Sequence, residues 1–261
     1  MNHTFAICAY KESEYLEECI QSLKNQTVQS EIIMETSTPN EYIKNLAEKY
    51  DIKLYVNEGE GGITQDWNYA LKQVQTKYAT VAHQDDIYEP DYARRIVEEM
   101  EASKKPLIGF TDYYETRNGE KVFDTTMLKI KRMLLSPLKG TKFRNSKFIR
   151  RRSLSLGDGI CCPSVCFCLE NVERPIFNNK YRSCEDWEAW EKLSRQDGAF
   201  VYIPEPLMSH RIHEESATTE IIKDNARVQE NYEMYCKFWP KWFAKCINHF
   251  YTKSEESNNL D

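Results

Sequence analysis

The fold of this chain is decided by the stretch Ala79-Thr80-Val81-Ala82-His83-Gln84-Asp85-Asp86. It reads as a short apolar strand that runs into two adjacent carboxylates. Such a run is typical of a parallel sheet with both faces covered, and ligands of open α/β sheets collect at the carboxyl ends of the strands. Two aspartates there, with a histidine two residues upstream, predict a site for Mg²⁺ or Mn²⁺ carrying a phosphorylated ligand. A solvated loop or a helix cap is the alternative for the aspartate pair taken alone.

Apolar strands and amphipathic helices alternate along the chain before this stretch. The pattern predicts strands at 4–9, 32–34 and 52–56, each followed by a helix. Ser13 is the expected N-cap of the first helix, because its hydroxyl can accept a free amide of the next turn. The repeating β-α order predicts an α/β protein with a Rossmann-like, mostly parallel sheet flanked by helices. Right-handed crossovers then place the loops after all four strands at one edge.

The composition is that of a globular protein of one large domain or two small ones, with 261 residues, 41% of them hydrophobic and 29% charged. No apolar run approaches the roughly 20 residues of a membrane span, and the N-terminus lacks a signal-peptide pattern. Most of the nine cysteines stand singly in apolar or helical contexts, which favours reduced thiols and a cytoplasmic location. A dinucleotide-dependent enzyme is disfavoured, because no G-x-G-x-x-G follows the first strand.

The first 100 residues resemble the inverting family 2 glycosyltransferases, which have the nucleotide-sugar-binding GT-A fold. The resemblance is carried by Ala9-Tyr10-Lys11-Glu12, Tyr15-Leu16-Glu17-Glu18-Cys19-Ile20, Ser22-Leu23, Asn25-Gln26-Thr27 and the aspartate pair near residue 85. It implies transfer of a sugar, with inversion, from a nucleotide-sugar donor to a hydroxyl of a saccharide or lipid-linked acceptor. A UDP-sugar and a role in surface polysaccharide biosynthesis are favoured. A catalytically inactive relative that binds a nucleotide sugar or a glycan is the alternative.

The resemblance assigns donor-binding roles to residues in the first half of the chain. Ala9 and Tyr10 fall where the family's first loop packs on the nucleotide base. Glu35 falls near the acidic residue that reads uracil, and a strand-end cap is its alternative role. Asp66 and Asn68 fall where the family usually has an Arg-Asn pair near the diphosphate, but the arginine is missing here.

The family's Asp-x-Asp motif is His83-Gln84-Asp85 in this chain. The resemblance places His83 in the position of the aspartate that points toward the ribose, and Asp85 on the metal, with Asp86 following as it often does in the family. Mn²⁺ or Mg²⁺ there would bridge the diphosphate oxygens and stabilise charge on the departing nucleotide. His213 falls on the histidine that can complete the metal site, and a surface pair with His210 is the alternative.

A second carboxylate motif, Glu185-Asp186-Trp187, follows about 100 residues after Asp85. It resembles the family's Glu-Asp motif, which implies a catalytic site at Glu185 and Asp186 with Asp186 as general base. An inverting transfer needs one carboxylate opposite the leaving diphosphate to deprotonate the acceptor hydroxyl. At a helix N-terminus Asp186 is expected to stay ionised. The alternative is structural, because Ser183 and Asp186 also have the spacing of a capping box.

Positive charge is concentrated between Thr125 and Gly157, where ten basic residues occur without one Asp or Glu, although the net charge of the chain is −6. Taken alone, this basic block indicates an anionic partner, which could be nucleic acid, an acidic lipid surface or a diphosphate, or else a solvated face that pairs with nearby acids. Residues 129–152 and the aromatic helices expected at 225–251 are candidates for peripheral membrane contact, and ordinary packing is the alternative. We predict no nucleic-acid partner.

Three segments describe the expected organisation: a nucleotide-sugar-binding half at 1–115, a half at 116–218 with the acceptor side and the base, and a helical extension at 219–261. The end of the extension, from Ser254, is expected to be disordered. Four cysteines lie close together, Cys161, Cys162, Cys166 and Cys168. A zinc site would need paired spacings on turns, whereas Cys166 and Cys168 alternate as in a strand, so small packed side chains are the favoured explanation.

Overall fold

A nine-stranded sheet lies at the centre of the structure, a computed structural model that describes residues 2–213 and 226–258. The strands are β1 (His3–Cys8), β2 (Glu31–Thr36), β3 (Lys53–Val56), β4 (Tyr78–His83), β5 (Ile87–Tyr88), β6 (Pro106–Arg117), β7 (Glu120–Val122), β8 (Val165–Cys168) and β9 (Ala199–Ile212). Their order is β3-β2-β1-β4-β8-β6-β9-β5, with β7 paired to β6.

Helices cover the two faces of this sheet. They are α1 (Leu16–Lys24), α2 (Glu41–Lys49), α3 (Ile63–Gln73), α4 (Tyr92–Glu101), α5 (Thr126–Leu135), α6 (Lys147–Ser153), α7 (Glu185–Ser194), α8 (Ala226–Cys236) and α9 (Lys241–Asn258), with short 3₁₀ turns at Ser136–Leu138 and Cys162–Ser164. Within the described residues, no helix is both long and apolar enough to cross a bilayer.

The first half of the sheet is parallel, as its β-α repeats predict. β1 pairs in parallel with β2 and β4, and β2 pairs in parallel with β3. The second half is mixed, because β8 runs antiparallel to both of its neighbours, β4 and β6, while β6 and β9 are parallel. The α/β class is confirmed, and the sheet as a whole is mixed.

The register of the parallel strands brings three carboxyl ends together. Cys8 at the end of β1 lies opposite Glu35 on β2 and His83 on β4. Because side chains alternate between the faces of a strand, Phe5 joins the apolar layer of α1, α2 and α4, whereas Ala6 joins the layer of α3 and α7. Both faces are therefore used for packing, and the polar side chains that follow the strands collect at the edge.

Element boundaries depart from the sequence expectations at both ends of the chain. Helix α1 begins at Leu16 with Tyr15 as its N-cap, and the Ser13 hydroxyl accepts from the Tyr15 amide (3.3 Å), so Ser13 lies two residues before the N-cap position. Helix α9 continues through Asn258, where disorder is expected from Ser254, and residues 259–261 lie outside the described part. The expected border at 115–116 falls inside β6, and the border at 218–219 lies outside the described residues.

Arginines of the basic block stabilise the fold itself. Three form ion pairs with acids elsewhere in the chain: Arg132 with Asp112, Arg144 with Glu99, and Arg151 with Glu191. Arg150 is buried and donates to the carbonyls of Ser194 and Gln196 at the end of α7. These contacts favour the alternative in which much of the block pairs with groups of the protein. Lys139 and Lys142 remain exposed.

Candidate active site

His83, Asp85 and Asp86 form a compact group of possible metal ligands where β4 ends. One ligand atom of each residue lies within 4.8 Å of the others, and the described residues contain no second such group of His, Cys, Asp or Glu. The Asp86 amide donates to the His83 carbonyl (3.3 Å), so a tight turn brings the two carboxylates back toward the imidazole. We call these three residues the ligand group.

Strand β9 brings two more histidines to the ligand group. His213 Nε2 lies 2.9 Å from Asp85 Oδ2, and His210 Nδ1 lies 3.3 Å from Asp86 Oδ1. The antiparallel pairing of β5 with β9 directs the end of β9 toward the aspartates. His213 thus lies beside the aspartate with which the family resemblance associates it. His210, considered from sequence only as a member of a surface pair, contacts a buried carboxylate.

Arg211 is a further member of the site that sequence reasoning misses. Its amide donates to Asp86 Oδ1 (3.0 Å), its Nε to the Asp85 carbonyl (2.9 Å) and its Nη2 to Glu18 of α1 (2.6 Å). The guanidinium also lies 4.3 Å from the ring centroid of Tyr15. Arg211 therefore links β9 to α1 and to the turn that contains Asp85 and Asp86. These contacts hold the ligand group in position.

Burial and mutual charge set the protonation of the ligand group and its neighbours. Burial lowers the pKa of His83, which favours its neutral, ligating form. Burial also acts to lower the pKa of His210, but the charge and hydrogen bond of Asp86 together with the charge of Asp85 outweigh it, and the net shift is upward. Burial acts to raise the pKa of Asp85, yet the hydrogen bond with His213 and the charges of the other two histidines leave it below its ordinary value. The lowered pKa favours the ionised form of Asp85, in which both carboxylate oxygens can accept.

The donor atoms fit a divalent cation. His83 Nε2 and Asp86 Oδ2 are buried and make no hydrogen bond within the described residues. Buried polar atoms are normally satisfied, so orphaned atoms of this kind indicate a missing partner. Carboxylate oxygens suit Mg²⁺ and Mn²⁺, and imidazole nitrogen suits first-row transition metals. Trp67 stacks on His83, with centroids 5.1 Å apart and planes at 17°, and so fixes the orientation of the imidazole.

Glu35, at the end of β2, is a buried acid beside the Cys8 thiol and Asp66. It is 1% exposed, and neither carboxyl oxygen makes a hydrogen bond of normal geometry within the described residues. Burial first, and the Asp66 charge second, raise the pKa of Glu35 to about 8. At neutral pH the carboxyl is then mainly protonated and offers one donor and one acceptor. Asp66 itself accepts from Ser37 Oγ (2.7 Å) and Asn57 Nδ2 (2.8 Å).

The loop after β1 is fastened to the loop after β4. Gln84 Oε1 accepts from the Tyr10 amide (2.9 Å), and Gln84 Nε2 donates to the Tyr10 carbonyl (3.1 Å). Ala9 is buried, and its amide donates to the Glu35 carbonyl (2.8 Å). The Tyr10 side chain is half exposed, at 51%. The backbone of this loop is therefore fixed while the aromatic ring remains accessible.

Asn68 has a structural role in this fold. Its Nδ2 donates to the Phe177 carbonyl (2.8 Å), and its Oδ1 accepts from the amides of Ile176 (3.1 Å) and Phe177 (3.2 Å). These three bonds hold the 176–177 segment against α3. The side-chain amide of Asn68 is thus occupied by these three hydrogen bonds, and we leave Asn68 out of the proposed donor site.

Asp186 lies in the first turn of α7, where its Oδ1 accepts from the Trp187 amide (2.7 Å). Burial raises the pKa of Asp186 and outweighs this bond and the charges of Lys131 and Arg227, which lower it. The net upward shift is opposite to the effect expected from a helix N-terminus alone. The charge of Asp186 also acts to raise the pKa of His83, against the larger effect of burial.

Two further carboxyl groups accompany Asp186. Burial first, and the Asp186 charge second, raise the pKa of Glu185 to about 7. The same two causes raise the pKa of Asp158 well above its usual range. Asp158 is a residue that sequence reasoning misses, although the loop Gly157-Asp158-Gly159 is a visible signal.

The capping-box interpretation of residues 183–186 is wrong. Cys184 is the N-cap of α7, and no side chain caps this helix. The Ser183 hydroxyl donates to Glu230 of α8 (2.6 Å), and the Asp186 carboxylate accepts from the neighbouring Trp187 amide. Neither side chain makes the reciprocal bond of a capping box.

The nine cysteines are free thiols. Cys161, Cys162, Cys166 and Cys168 are buried, and the last two belong to β8. In the part of the chain that is described, cysteines contribute to no close group of metal ligands. Packing therefore accounts for this cluster better than zinc.

Sequence relatives are bacterial glycosyltransferases. The chain is 24% identical over 227 residues to an uncharacterized glycosyltransferase of Rickettsia felis, an alignment that covers 84% of this chain and 35% of that protein. It is 25% identical over 226 residues to an uncharacterized glycosyltransferase of Haemophilus influenzae, an alignment that covers 79% of this chain and 64% of that protein. The chain spans less than two thirds of the length of either relative.

Solved structures of glycosyltransferases have a similar fold. One is S. aureus TarS 1-349 in complex with UDP-GlcNAc, with a TM-score of 0.65, 17% identity, and coverage of 90% of this chain and 64% of that one. Another is the mannosyltransferase PcManGT from Pyrobaculum calidifontis in complex with GDP-Man and Mn²⁺, with a TM-score of 0.63, 14% identity, and coverage of 95% and 70%. At these identities the likeness establishes a shared GT-A type of α/β fold.

The family model described as glycosyl transferase family 2 matches residues 4–177, well over half of the chain. The matched residues include the four parallel strands and the ligand group, whereas α7, β9, α8 and α9 lie beyond them. On this match, together with the relatives and the fold, the chain belongs to glycosyl transferase family 2.

Proposed function

We propose that the protein transfers a sugar from a nucleotide-sugar donor to an acceptor hydroxyl with inversion, using Asp186 as general base. One observation carries the proposal: the compact group of possible metal ligands at the end of β4 has two buried atoms, His83 Nε2 and Asp86 Oδ2, that make no hydrogen bond within the described residues. The sheet edge then offers a cation site for a diphosphate, and Asp186 in the first turn of α7 is the carboxylate proposed for proton transfer.

The donor is proposed to be a UDP-sugar. Tyr10 presents an accessible ring on which a base can stack, close to the end of β2. Glu35 is the acid proposed to read uracil, and its protonated carboxyl has a donor beside an acceptor; because this carboxyl is buried, contact with the base requires the loop after β1 to move aside. TarS, which shares the fold, binds UDP-GlcNAc, whereas PcManGT binds GDP-Man, so both nucleotides belong in the test.

The residues that would hold Mn²⁺ or Mg²⁺ are Asp85 and His213, with His83 and Asp86 beside them. When bound, the cation would neutralise charge on the diphosphate of the leaving nucleotide. His210 and Arg211 orient Asp86, because both contact its Oδ1.

Asp186 would accept the proton of the acceptor hydroxyl while that oxygen bonds to the anomeric carbon. The bond between the anomeric carbon and the diphosphate oxygen breaks, and its electron pair leaves with the nucleoside diphosphate. Attack from the side opposite the leaving group inverts the configuration. The raised pKa of Asp186 favours this role, because a base is most effective with a pKa near the working pH.

A catalytically inactive protein that binds a nucleotide sugar or a glycan is the second candidate. It is favoured by the imidazole of His83 in place of the first aspartate, and by the missing arginine next to Asn68. This candidate predicts donor binding without turnover in the unmodified protein.

We also propose that an acidic lipid surface contacts the face formed by α5, α6 and the start of α9. Large apolar side chains are exposed there, Met133 at 64%, Phe148 at 69% and Trp242 at 71%. The turn before α9 adjoins α6, since Trp239 stacks under the Arg152 guanidinium (4.0 Å to the centroid). Exposed lysines between α5 and α6 complement anionic headgroups. Such a face would present the site to a lipid-linked acceptor.

A thermal-shift panel of UDP- and GDP-sugars, with and without Mn²⁺, tests the proposal. A ligand that binds only the folded protein raises its melting temperature. The proposal expects a Mn²⁺-dependent shift with a UDP-sugar and release of UDP when acceptors are supplied. Absence of a shift with every nucleotide sugar would contradict it, and a shift without turnover would favour the binding protein.

A further inference from the structure

The N-terminus of α7, which carries Asp186, is held from outside by helix α8. Glu230 Oε1 accepts from the Arg182 amide (3.0 Å), and Oε2 accepts from the amide (2.9 Å) and the hydroxyl (2.6 Å) of Ser183. Consecutive backbone amides that converge on a carboxylate form strong, charge-assisted hydrogen bonds. These bonds fix the backbone immediately before Glu185 and Asp186.

A second contact lies beside the first. Cys184 Sγ donates to Asn231 Oδ1 (3.2 Å), and the two residues are buried, at 3% and 4% exposure. One turn further along α8, Tyr235 packs edge-on against Trp187, with centroids 5.2 Å apart and planes at 80°. Helix α8 therefore contacts the chain both before and after Asp186.

Helix α7 has no side-chain cap of its own to replace these contacts. Its N-cap Cys184 makes no side-chain bond to the first turn, and the Ser183 hydroxyl is used on Glu230. A first turn without a cap leaves amides unsatisfied and tends to fray. The orientation of the Asp186 carboxylate thus depends on α8, which lies beyond the residues 4–177 that the family model matches.

We infer that Glu230 is a positioning residue for the base: it holds residues 182–184 so that the Asp186 carboxylate meets the acceptor hydroxyl. The inference rests on the proposed function of Asp186. A small misplacement of a reacting group can cost about 100-fold in rate, so Glu230→Ala is expected to lower kcat by about 10- to 100-fold. The KM for the donor should stay within about twofold, because the proposed donor and cation contacts come from β1, β2, β4 and β9.

The experiment compares Glu230→Ala and Glu230→Gln with the matched control Glu233→Ala. Glu233 lies one turn further along α8, and its carboxylate accepts from the side chains of Lys180 and Tyr181 (3.2 Å each) instead of from backbone amides. The probe is the nucleotide sugar with the largest thermal shift in the panel. Amide hydrogen exchange of residues 180–187 is measured in parallel, because it needs no substrate.

Glu230→Ala should speed exchange of the Arg182 and Ser183 amides by at least about tenfold, with a matching loss in kcat. Glu230→Gln keeps an acceptor oxygen, so its amide exchange rates and its kcat should lie between those of Glu230→Ala and the native protein. Glu233→Ala should change neither the exchange rates nor kcat. The inference is overturned if Glu230→Ala has the kcat of Glu233→Ala, or if donor KM rises as much as kcat falls.

Asp186→Asn separates failure of the inference from failure of the proposed function. If Glu230 acts through Asp186, adding Glu230→Ala to Asp186→Asn lowers the residual turnover no further. A further 10-fold loss would contradict the inference while leaving the base in place. Full turnover of Asp186→Asn alone would remove the proposed base, and with it the catalytic role of Glu230, even if the exchange of residues 182–183 still responds.

Discussion

On the donor side, sheet register places the side chains: Cys8, Glu35 and His83 meet because β1 pairs with β2 and β4. On the base side, contacts between helices place them: the turn with Asp186 depends on Glu230 and Asn231 of α8. Register follows from a repeating β-α pattern that many sequences share, whereas the helix contacts depend on individual residues of this chain. The donor side should therefore tolerate damage to α8, and the base side should tolerate damage to the ligand group.

On the donor side, the largest effect is expected for Asp85→Asn. The substitution keeps the shape but removes an ionised oxygen that lies 2.9 Å from His213. Affinity for Mn²⁺, measured by calorimetry, should fall by about 100-fold, since loss of even a supporting group at a metal site costs 10- to 100-fold. The control is Asp91→Asn, because Asp91 is an aspartate close in the chain that pairs with Arg94. An unchanged Mn²⁺ affinity in Asp85→Asn would refute the assigned site.

The next effect is a pH dependence of stability that arises from Glu35. Its pKa rises from 4.5 to about 8 on folding, so between these values the folded protein holds a proton that the unfolded chain releases. The contribution of this bound proton to the unfolding free energy is complete below about pH 4.5 and is lost as the pH rises through 8. Glu35→Gln stays neutral, so the difference in unfolding free energy between the native protein and this variant should shift by about 2–4 kcal/mol from pH 5 to pH 8.

Denaturant titrations at several pH values measure this difference. Glu31→Gln, at an exposed position of the same strand, is the matched control and should follow the native protein. Parallel curves for Glu35→Gln and the native protein would show that the Glu35 carboxyl does not hold the proton.

A smaller effect is expected for the lipid face on the base side. Reversing the charge of Lys139 and Lys142 should weaken binding to vesicles with anionic lipid by at least about 30-fold, given about 1 kcal/mol for each basic residue near the surface. Arg150 and Arg151 are unsuitable for this test, because one is buried and the other pairs with Glu191. Reversal of Lys24 and Lys72, on α1 and α3, is the control. Equal vesicle binding by both double variants would remove the lipid face.

The smallest effect is expected for His83→Asp, which restores the family's carboxylate. A carboxylate in place of imidazole favours Mg²⁺ relative to Mn²⁺. The ratio of the two dissociation constants should shift toward Mg²⁺ by about three- to tenfold, measured by calorimetry. No change in this ratio would place His83 outside the coordination sphere.

Features that have a local signal in the sequence can be predicted from it, whereas contacts between distant residues cannot. The four parallel strands and the His83-Asp85-Asp86 group can be predicted, because apolar runs and the charges that end them are local signals. The contacts of Arg211 with the aspartates cannot be predicted from the sequence, because they arise from the pairing of β5 with β9. These two strands lie more than 100 residues apart in the chain. Asn68 matches a family position, yet its amide binds the backbone of residues 176–177. Ser183 has capping-box spacing, but a carboxylate on α8 forms the stronger bond.

The measurement that tests the account most directly compares turnover and donor affinity in Asp186→Asn. General-base catalysis contributes about 10²- to 10⁴-fold, so kcat should fall by that factor with the best nucleotide sugar and acceptor. The dissociation constant of the donor with Mn²⁺ should stay within about twofold of the native value, because the ligand group and Glu35 are intact. Native turnover, or a loss of donor affinity as large as the loss of turnover, would contradict the account.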